Sequence, residues 1–230
     1  MRKIGLVGGT GPESTVMYYK NLNTEIDART GGEAMPDIAI ESVDFRRAWK
    51  YVSSGEYDLL ADYLAEKVDA LVAGGAEVVA LTAVTMHVVF DELQKRSKLP
   101  LVSIPQAVRD EILARGCRKV GLLETIFTME KDYMKKDLLE AGIKVFVPGE
   151  AERQLVAKRI YEELEQGIVK ESTLAELRAI IERMREDDGI EGVILGCTEL
   201  PLILNSENCP VQCFDSVAIH LKKLVELAMN

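Results

Sequence analysis

The sequence predicts an α/β protein of two pseudo-symmetric lobes, each a parallel sheet flanked by helices, and three observations lead there. Apolar runs of strand length alternate with helical patterns along the whole chain, the arrangement of right-handed βαβ units. The segment RKIGLV at 2–7 returns as RKVGLL at 118–123, and GAEVVALTA at 75–83 returns as GIEGVILGC at 189–197 at nearly the same separation. Two matches in one register point to a duplicated unit. With 230 residues, 47% hydrophobic and 29% charged, the chain can bury a substantial core.

Each element has its own signal. KIGLVGG at 3–9 is a β-branched run closed by glycines, and 11–30 carries apolar residues at helical spacing behind Pro12; Pro at a first helical position needs no amide partner. DIAIESV (37–43) reads as a strand, 57–75 as a helix stopped by glycines and EVVALTAV (77–84) as a buried strand. The stretch DFRRAWKYV (44–52) reads as a loop after the second strand. Then follow a strand at 101–105, a helix at 106–116, a strand at 119–125 and one helix over 128–142. KVFVP (144–148) is a further strand, 150–167 and 173–186 are helices, and GVILGC (192–197) is the last long strand. VQCF (211–214) and a helix from Val217 close the chain. The duplication assigns residues 1–98 with 210–230 to one lobe and 99–209 to the other.

Composition narrows the partners. A net charge of −10 and a pI near 4.9 argue against nucleic acid or an anionic membrane, because phosphate neutralisation needs a basic face. The start MRKIGLVGG is too short an apolar stretch for a secretory signal or a span, so a cytoplasmic protein with a small-molecule partner is expected. The four cysteines, Cys117, Cys197, Cys209 and Cys213, lack paired metal-ligand spacing and suit neither a zinc site nor a disulfide framework. Neither a metal nor a cofactor is expected.

Ligands of open parallel sheets bind beyond the carboxyl ends of the strands. Two facing halves would share one active-site cleft, with Ala83 and Cys197 as symmetry mates. Cys197 follows an apolar strand and precedes Thr198 and Glu199, a thiol beside polar groups where the fold puts chemistry. The glycine turn GLVGGTGPEST (5–15) lacks the G-x-G-x-x-G of a dinucleotide site; it can offer free amides at a helix start to an anion, or simply let the helix pack. Thr10 lies in that turn. Thr85 could donate to a carboxylate. His87 is either an acid/base or, more commonly, tied to a local carbonyl, and His220 falls in the last helix. Thr125 and Thr128 stand at the corresponding turn of the second half, where Thr128 could hold a dicarboxylate or cap a helix. Arg46 or Arg47 is a candidate carboxylate clamp.

The N-terminal IGLVGGTGPEST, the TMH at 85–87, IYEELEQG at 160–167, GVILGCTELP and FDSVAIH at 214–220 together resemble the cofactor-independent aspartate/glutamate racemase superfamily, in order and over nearly the whole chain. The resemblance implies an active site between the lobes, a homodimer, and racemisation of a small amino acid without pyridoxal phosphate or metal. Inverting a carbon takes a base on one face and an acid on the other, and thiols near a cation or a helix N-terminus serve both roles. On this resemblance Cys197 is the catalytic acid/base, and Thr10, Thr85, Thr125 and Thr198 are placed to stabilise charge on the substrate carboxylate; Arg46, Thr128 and Glu199 complete the expected substrate-binding set. Where relatives carry Cys-Asn-Thr before the His, this chain has Ala83-Val84-Thr85, and Glu165 stands where relatives place a basic residue. Three readings follow: a racemase with one surviving thiol, a one-thiol decarboxylase or isomerase of a small dicarboxylate, and an idle ligand-binding homologue.

Overall fold

Eight strands form two four-stranded parallel sheets in a computed structural model that describes residues 1–230. The first sheet holds β1 (Ile4–Gly8), β2 (Ile38–Ser42), β3 (Val78–Leu81) and β4 (Leu101–Val102) in the order β2-β1-β3-β4. The second holds β5 (Lys119–Leu123), β6 (Lys144–Phe146), β7 (Gly192–Leu195) and β8 (Gln212–Asp215) in the order β6-β5-β7-β8. The permutation is the same, and so is the register. Ile4 lies opposite Val78 and Val7 opposite Leu81, while their counterparts pair as Val120 with Gly192 and Leu123 with Leu195. The repeated sequence segments therefore occupy equivalent places, as duplication requires.

One shared glycine shows why the repeat persists in sequence. A Cβ on Gly5 would lie 2.8 Å from the Cβ of Ala76 and 3.2 Å from that of Leu71, and a Cβ on Gly121 would lie 3.1 Å from Met184 Cε and 3.2 Å from Ile190 Cδ1. In both sheets a covering helix, α3 (Tyr57–Ala73) or α9 (Glu171–Asp187), rests a side chain directly on the bare strand. Helix α1 (Pro12–Arg29) begins on Pro12 and buries Ser14, Tyr18, Leu22 and Ile26 at every fourth position, one stripe facing the sheet. The second core gathers Leu123, Leu177, Ile181, Met184, Val193, Leu195 and Leu200, among others. No helix is long and apolar enough to cross a membrane.

The chain divides into two compact units, Met1–Ser103 with His220–Asn230, and Ile104–Ile219. Strand β4 pairs with β3 and β8 with β7. Boundaries at 98/99 and 209/210 would assign each of these strands to the wrong sheet. Helix α10 (Ser216–Met229) returns the C-terminus to the first unit, where His220 fastens it. The ring Nε2 lies 3.0 Å from the Val102 carbonyl and Nδ1 lies 2.7 Å from the Tyr18 hydroxyl. Because a carbonyl only accepts, Nε2 carries the proton and Nδ1 accepts from Tyr18. Burial and the neighbouring His87 lower the His220 pKa to about 3, so the ring is neutral.

Two segments differ from the sequence expectation. Residues 45–54 form a helix, α2 (Phe45–Ser54), not a loop: Asp44 Oδ1 accepts from the amides of Arg46 and Arg47 at 2.9 and 3.2 Å, Gly55 closes the end at φ 72°, and Ala48 and Val52 are buried one turn apart. The expected helix over 128–142 is two, α6 (Ile126–Glu130) and α7 (Lys136–Glu140). The break is held by Met134, fully buried, and by Lys135 Nζ donating to the Met129 carbonyl at 3.1 Å, so tertiary contacts override helical propensity. The intervening helices α4 (Phe90–Arg96), α5 (Ile104–Ala114) and α8 (Glu150–Glu162) complete the chain.

Candidate functional site

The ends of β5 and β7 run side by side because the Gly196 amide donates to the Leu123 carbonyl at 2.9 Å. The chain then turns through Cys197, Thr198 and Glu199 into a single 3-10 turn, Leu200–Leu202, anchored by buried Leu200. All three side chains before it are partly buried. The Cys197 thiol donates to Glu199 Oε2 at 2.7 Å. Burial chiefly, then the carboxylates of Glu124 and Glu199, hold this thiol well above the usual cysteine range, since each disfavours a second negative charge.

Glu124, the residue after β5, is only 3% exposed. It lies over Gly196, where an added Cβ would meet its Cγ at 2.3 Å. Its carboxylate accepts from the Thr125 amide, and burial raises its pKa against the opposing pull of the Thr125 and Thr128 hydroxyls. Thr125 stands at the start of α6 but makes no capping bond through its side chain. Thr128 lies inside that helix, fully buried, with its hydroxyl 2.6 Å from the Tyr133 hydroxyl; it is not the capping residue. Sequence reading missed Glu124. The signal was present in the repeat, where GLVGG aligns with GLLET and an acid stands in place of glycine at the end of an apolar strand.

In the first unit the equivalent amide, that of Thr82, donates to the Val7 carbonyl at 3.1 Å. Thr82 is buried, its hydroxyl 3.3 Å from that of Thr15 and its carbonyl accepting from Ser14 Oγ at 2.5 Å. Ala83 follows at the position equivalent to Cys197 and leads into a 3-10 helix, Val84–Val89. Thr85 on that helix is partly exposed. His87 is buried, bonded to the Ala83 carbonyl at 3.1 Å and stacked on Phe90 with ring centroids 5.1 Å apart. Desolvation lowers its pKa to about 4, which leaves it neutral. Thr10 Oγ1 is the one buried side-chain polar atom without a hydrogen-bond partner, and Gly11 beside it opens α1 at φ 110°. An orphan hydroxyl of this kind is costly unless something completes it. Arg46 is exposed on α2, whereas Arg47 lies over the Tyr63 ring at 4.2 Å and donates to the Tyr51 hydroxyl at 3.1 Å.

Of the sequence candidates, Thr10, Arg46 and Thr85 thus belong to the first unit, and Thr125, Thr128, Cys197, Thr198 and Glu199 to the second. Cys117 is buried, and all four cysteines are free. A hydrogen bond between Cys209 and Cys213 lowers the first to about 7 and raises the second. No group of three or more His, Cys, Asp or Glu side chains is placed to hold a metal ion.

Residues 7–224 match the family model of the Asp/Glu/Hydantoin racemases. The fold superposes on an aspartate racemase homologue from Pyrococcus horikoshii OT3 with a TM-score of 0.91 at 42% identity, each chain covered over 100%. A candidate Asp/Glu racemase from Yersinia pestis gives a TM-score of 0.94 at 35% identity, again over 100% of both chains. A glutamate racemase from Francisella tularensis, in complex with D-glutamate, shares the fold at 17% identity and a TM-score of 0.69, over 99% of this chain and 81% of that one.

Proposed function

The chain belongs to the Asp/Glu/Hydantoin racemase family, and we propose that it transfers a proton at the α-carbon of a small amino acid of aspartate or glutamate type, with Cys197 as its single thiol acid/base. The observation that carries the reading is the 2.7 Å hydrogen bond from Cys197 to Glu199 just past the end of β7. A thiol works in proton transfer only if its proton has somewhere to go, and Glu199 is a carboxylate within direct reach. The carbanion through which a proton is removed from or returned to the α-carbon spreads negative charge onto the substrate carboxylate. Hydroxyls and a guanidinium stabilise that charge, and we assign the task to Thr198 and Thr125, with the orphan Thr10, and with Thr85 and Arg46, as the complementary set.

The equivalent of Cys197 in the first repeat is Ala83, whose methyl group moves no proton. The proposed reaction is therefore one-sided: one face of the carbon gains or loses its proton at sulfur, and inversion through a second thiol is not available. The raised thiol pKa favours a second reading on the same residues. A carbanion formed when a small dicarboxylate loses carbon dioxide needs only one proton donor, and Cys197 held as a thiol supplies it. We take the protein to be a cytoplasmic homodimer, as the family resemblance implies; sedimentation equilibrium at a monomer mass would count against the dimer.

Deuterium incorporation from heavy water at the α-carbon, followed by NMR over amino acids of both hands and small dicarboxylates, tests the proposal. We expect label on one substrate class in the wild type and none in Cys197→Ser. Label that persists in Cys197→Ser would remove Cys197 from the chemistry, and no label on any compound would leave a ligand-binding homologue.

A further inference from the structure

The two repeats fill one equivalent place in opposite ways. At the end of the first pair of strands, Gly8 stands beside Thr82; at the end of the second, Glu124 stands beside Gly196. A Cβ on Gly196 would lie 2.3 Å from Glu124 Cγ and 3.0 Å from its Cβ, whereas a Cβ on Gly8 would lie 2.5 Å from Thr15 Cγ2. In the first unit the methyl of Thr15, from helix α1, lies over Gly8; in the second the stem of Glu124, from the neighbouring strand end, lies over Gly196.

A carboxyl with 3% exposure is an expensive choice for filling space, because burying a polar group without full compensation costs stability. No cation compensates it. Its partners are the Thr125 amide and the Thr125 and Thr128 hydroxyls, and the charged group acting on it is another carboxylate, Glu199. The stem lies against the α-carbon of Gly196, the residue before Cys197.

We propose, building on Cys197 as the proton carrier, that Glu124 is a positioning residue for the proton of that thiol: seated over Gly196, it favours the S–H form of the sulfur, so that Cys197 donates a proton to a substrate carbanion more readily than it removes one. The titratable groups around the sulfur agree. From the end of β7 it faces Glu199, and from the end of β5 it faces Glu124, backed by Thr125, Thr128 and Tyr133. On the neighbouring β8, Asp215 is itself held above the usual carboxylate range by burial and accepts from the Val217 and Ala218 amides at 3.0 Å. Both charges acting on the sulfur are negative, which opposes thiolate. In the productive step the S–H bond breaks as a C–H bond forms on the electron pair of the carbanion, leaving a thiolate. A neighbouring carboxyl returns a proton to the thiolate and recovers its own from water.

Peptide-resolved alkylation of the intact protein by iodoacetamide, from pH 6 to 11, reads the Cys197 thiolate directly and separately from the other cysteines. In Glu124→Gln, which keeps size and hydrogen bonding but not charge, we expect the Cys197 midpoint to fall by about one pH unit and the rate below both midpoints to rise about tenfold. If that variant does not fold, Glu124→Asp, with its carboxylate drawn back from Gly196, should move the midpoint in the same direction by less. An unchanged Cys197 profile in a folded variant overturns the inference. Deuterium incorporation in the same samples separates the two levels: exchange that depends on Cys197 with no Glu124 effect refutes only the role of Glu124. A Glu124 effect on the thiol without any exchange refutes only the proposed function.

Discussion

The end of β3 and the end of β7 share a backbone and differ in chemistry. Both follow a strand in the third position of the same parallel order, and both are tied to the neighbouring first strand by one amide, from Thr82 or from Gly196. Past that amide the first unit continues as Ala83-Val84-Thr85 and the second as Cys197-Thr198-Glu199. The carboxyl-bearing position, Glu124, is a glycine in the first unit, Gly8. Duplication thus supplied two equivalent positions, and side-chain choice equipped only one of them with a thiol and two carboxyls. The first unit keeps hydroxyls and a neutral, buried histidine there, groups that can bind and orient but that do not exchange protons near neutral pH.

Three ways to break this asymmetry rank by expected effect. Cys197→Ser should lower turnover by about 100-fold or more, the scale of a lost general acid/base, with unchanged circular dichroism. The reciprocal Ala83→Cys should leave the existing exchange intact and add exchange on substrate of the opposite hand. Glu199→Gln removes the acceptor of the thiol proton, and we expect a fall of about tenfold in kcat, read by steady-state kinetics.

The smallest effect lies in stability, and it has opposite signs in the two units. His87 and His220 have folded pKa values of about 4 and about 3, below the ordinary histidine value, so the unfolded chain binds more protons as pH falls. Their contribution is present above about pH 6.5 and is lost on acidification, on the order of 2 kcal/mol per histidine by pH 5. Glu124 and Asp215 are raised, so the folded state binds the extra proton, and their contribution is lost as pH rises. Hydrogen exchange resolved by segment should show α1 and α10 opening more readily at pH 5 than at pH 7, with no such loss around β5 and β7.

The fold was legible in the sequence where a physical requirement left a residue pattern. Gly5 and Gly121 survive in both repeats because a covering side chain rests on each, and that is why RKIGLV and RKVGLL can be aligned by eye. Helix α2 was not legible, because its buried stripe is only Ala48 and Val52 among aromatic and basic residues. The break between α6 and α7 depends on where Met134 and Tyr133 find partners, which no local pattern records. At the site, the position of Cys197 past a buried strand could be read directly. Glu124 could not, because it looks like an ordinary strand-end acid until Gly196 is seen beneath it. The burial that makes His87 neutral is likewise a property of packing.

The most direct test of the account is the handedness of α-carbon exchange by the unmodified protein in heavy water, monitored on each enantiomer of one substrate separately. One thiol serves one face, so label is expected in a single enantiomer, with the other unlabelled over the same period. Equal labelling of both hands would reveal a second proton-transferring group and would contradict the proposed one-sided reaction.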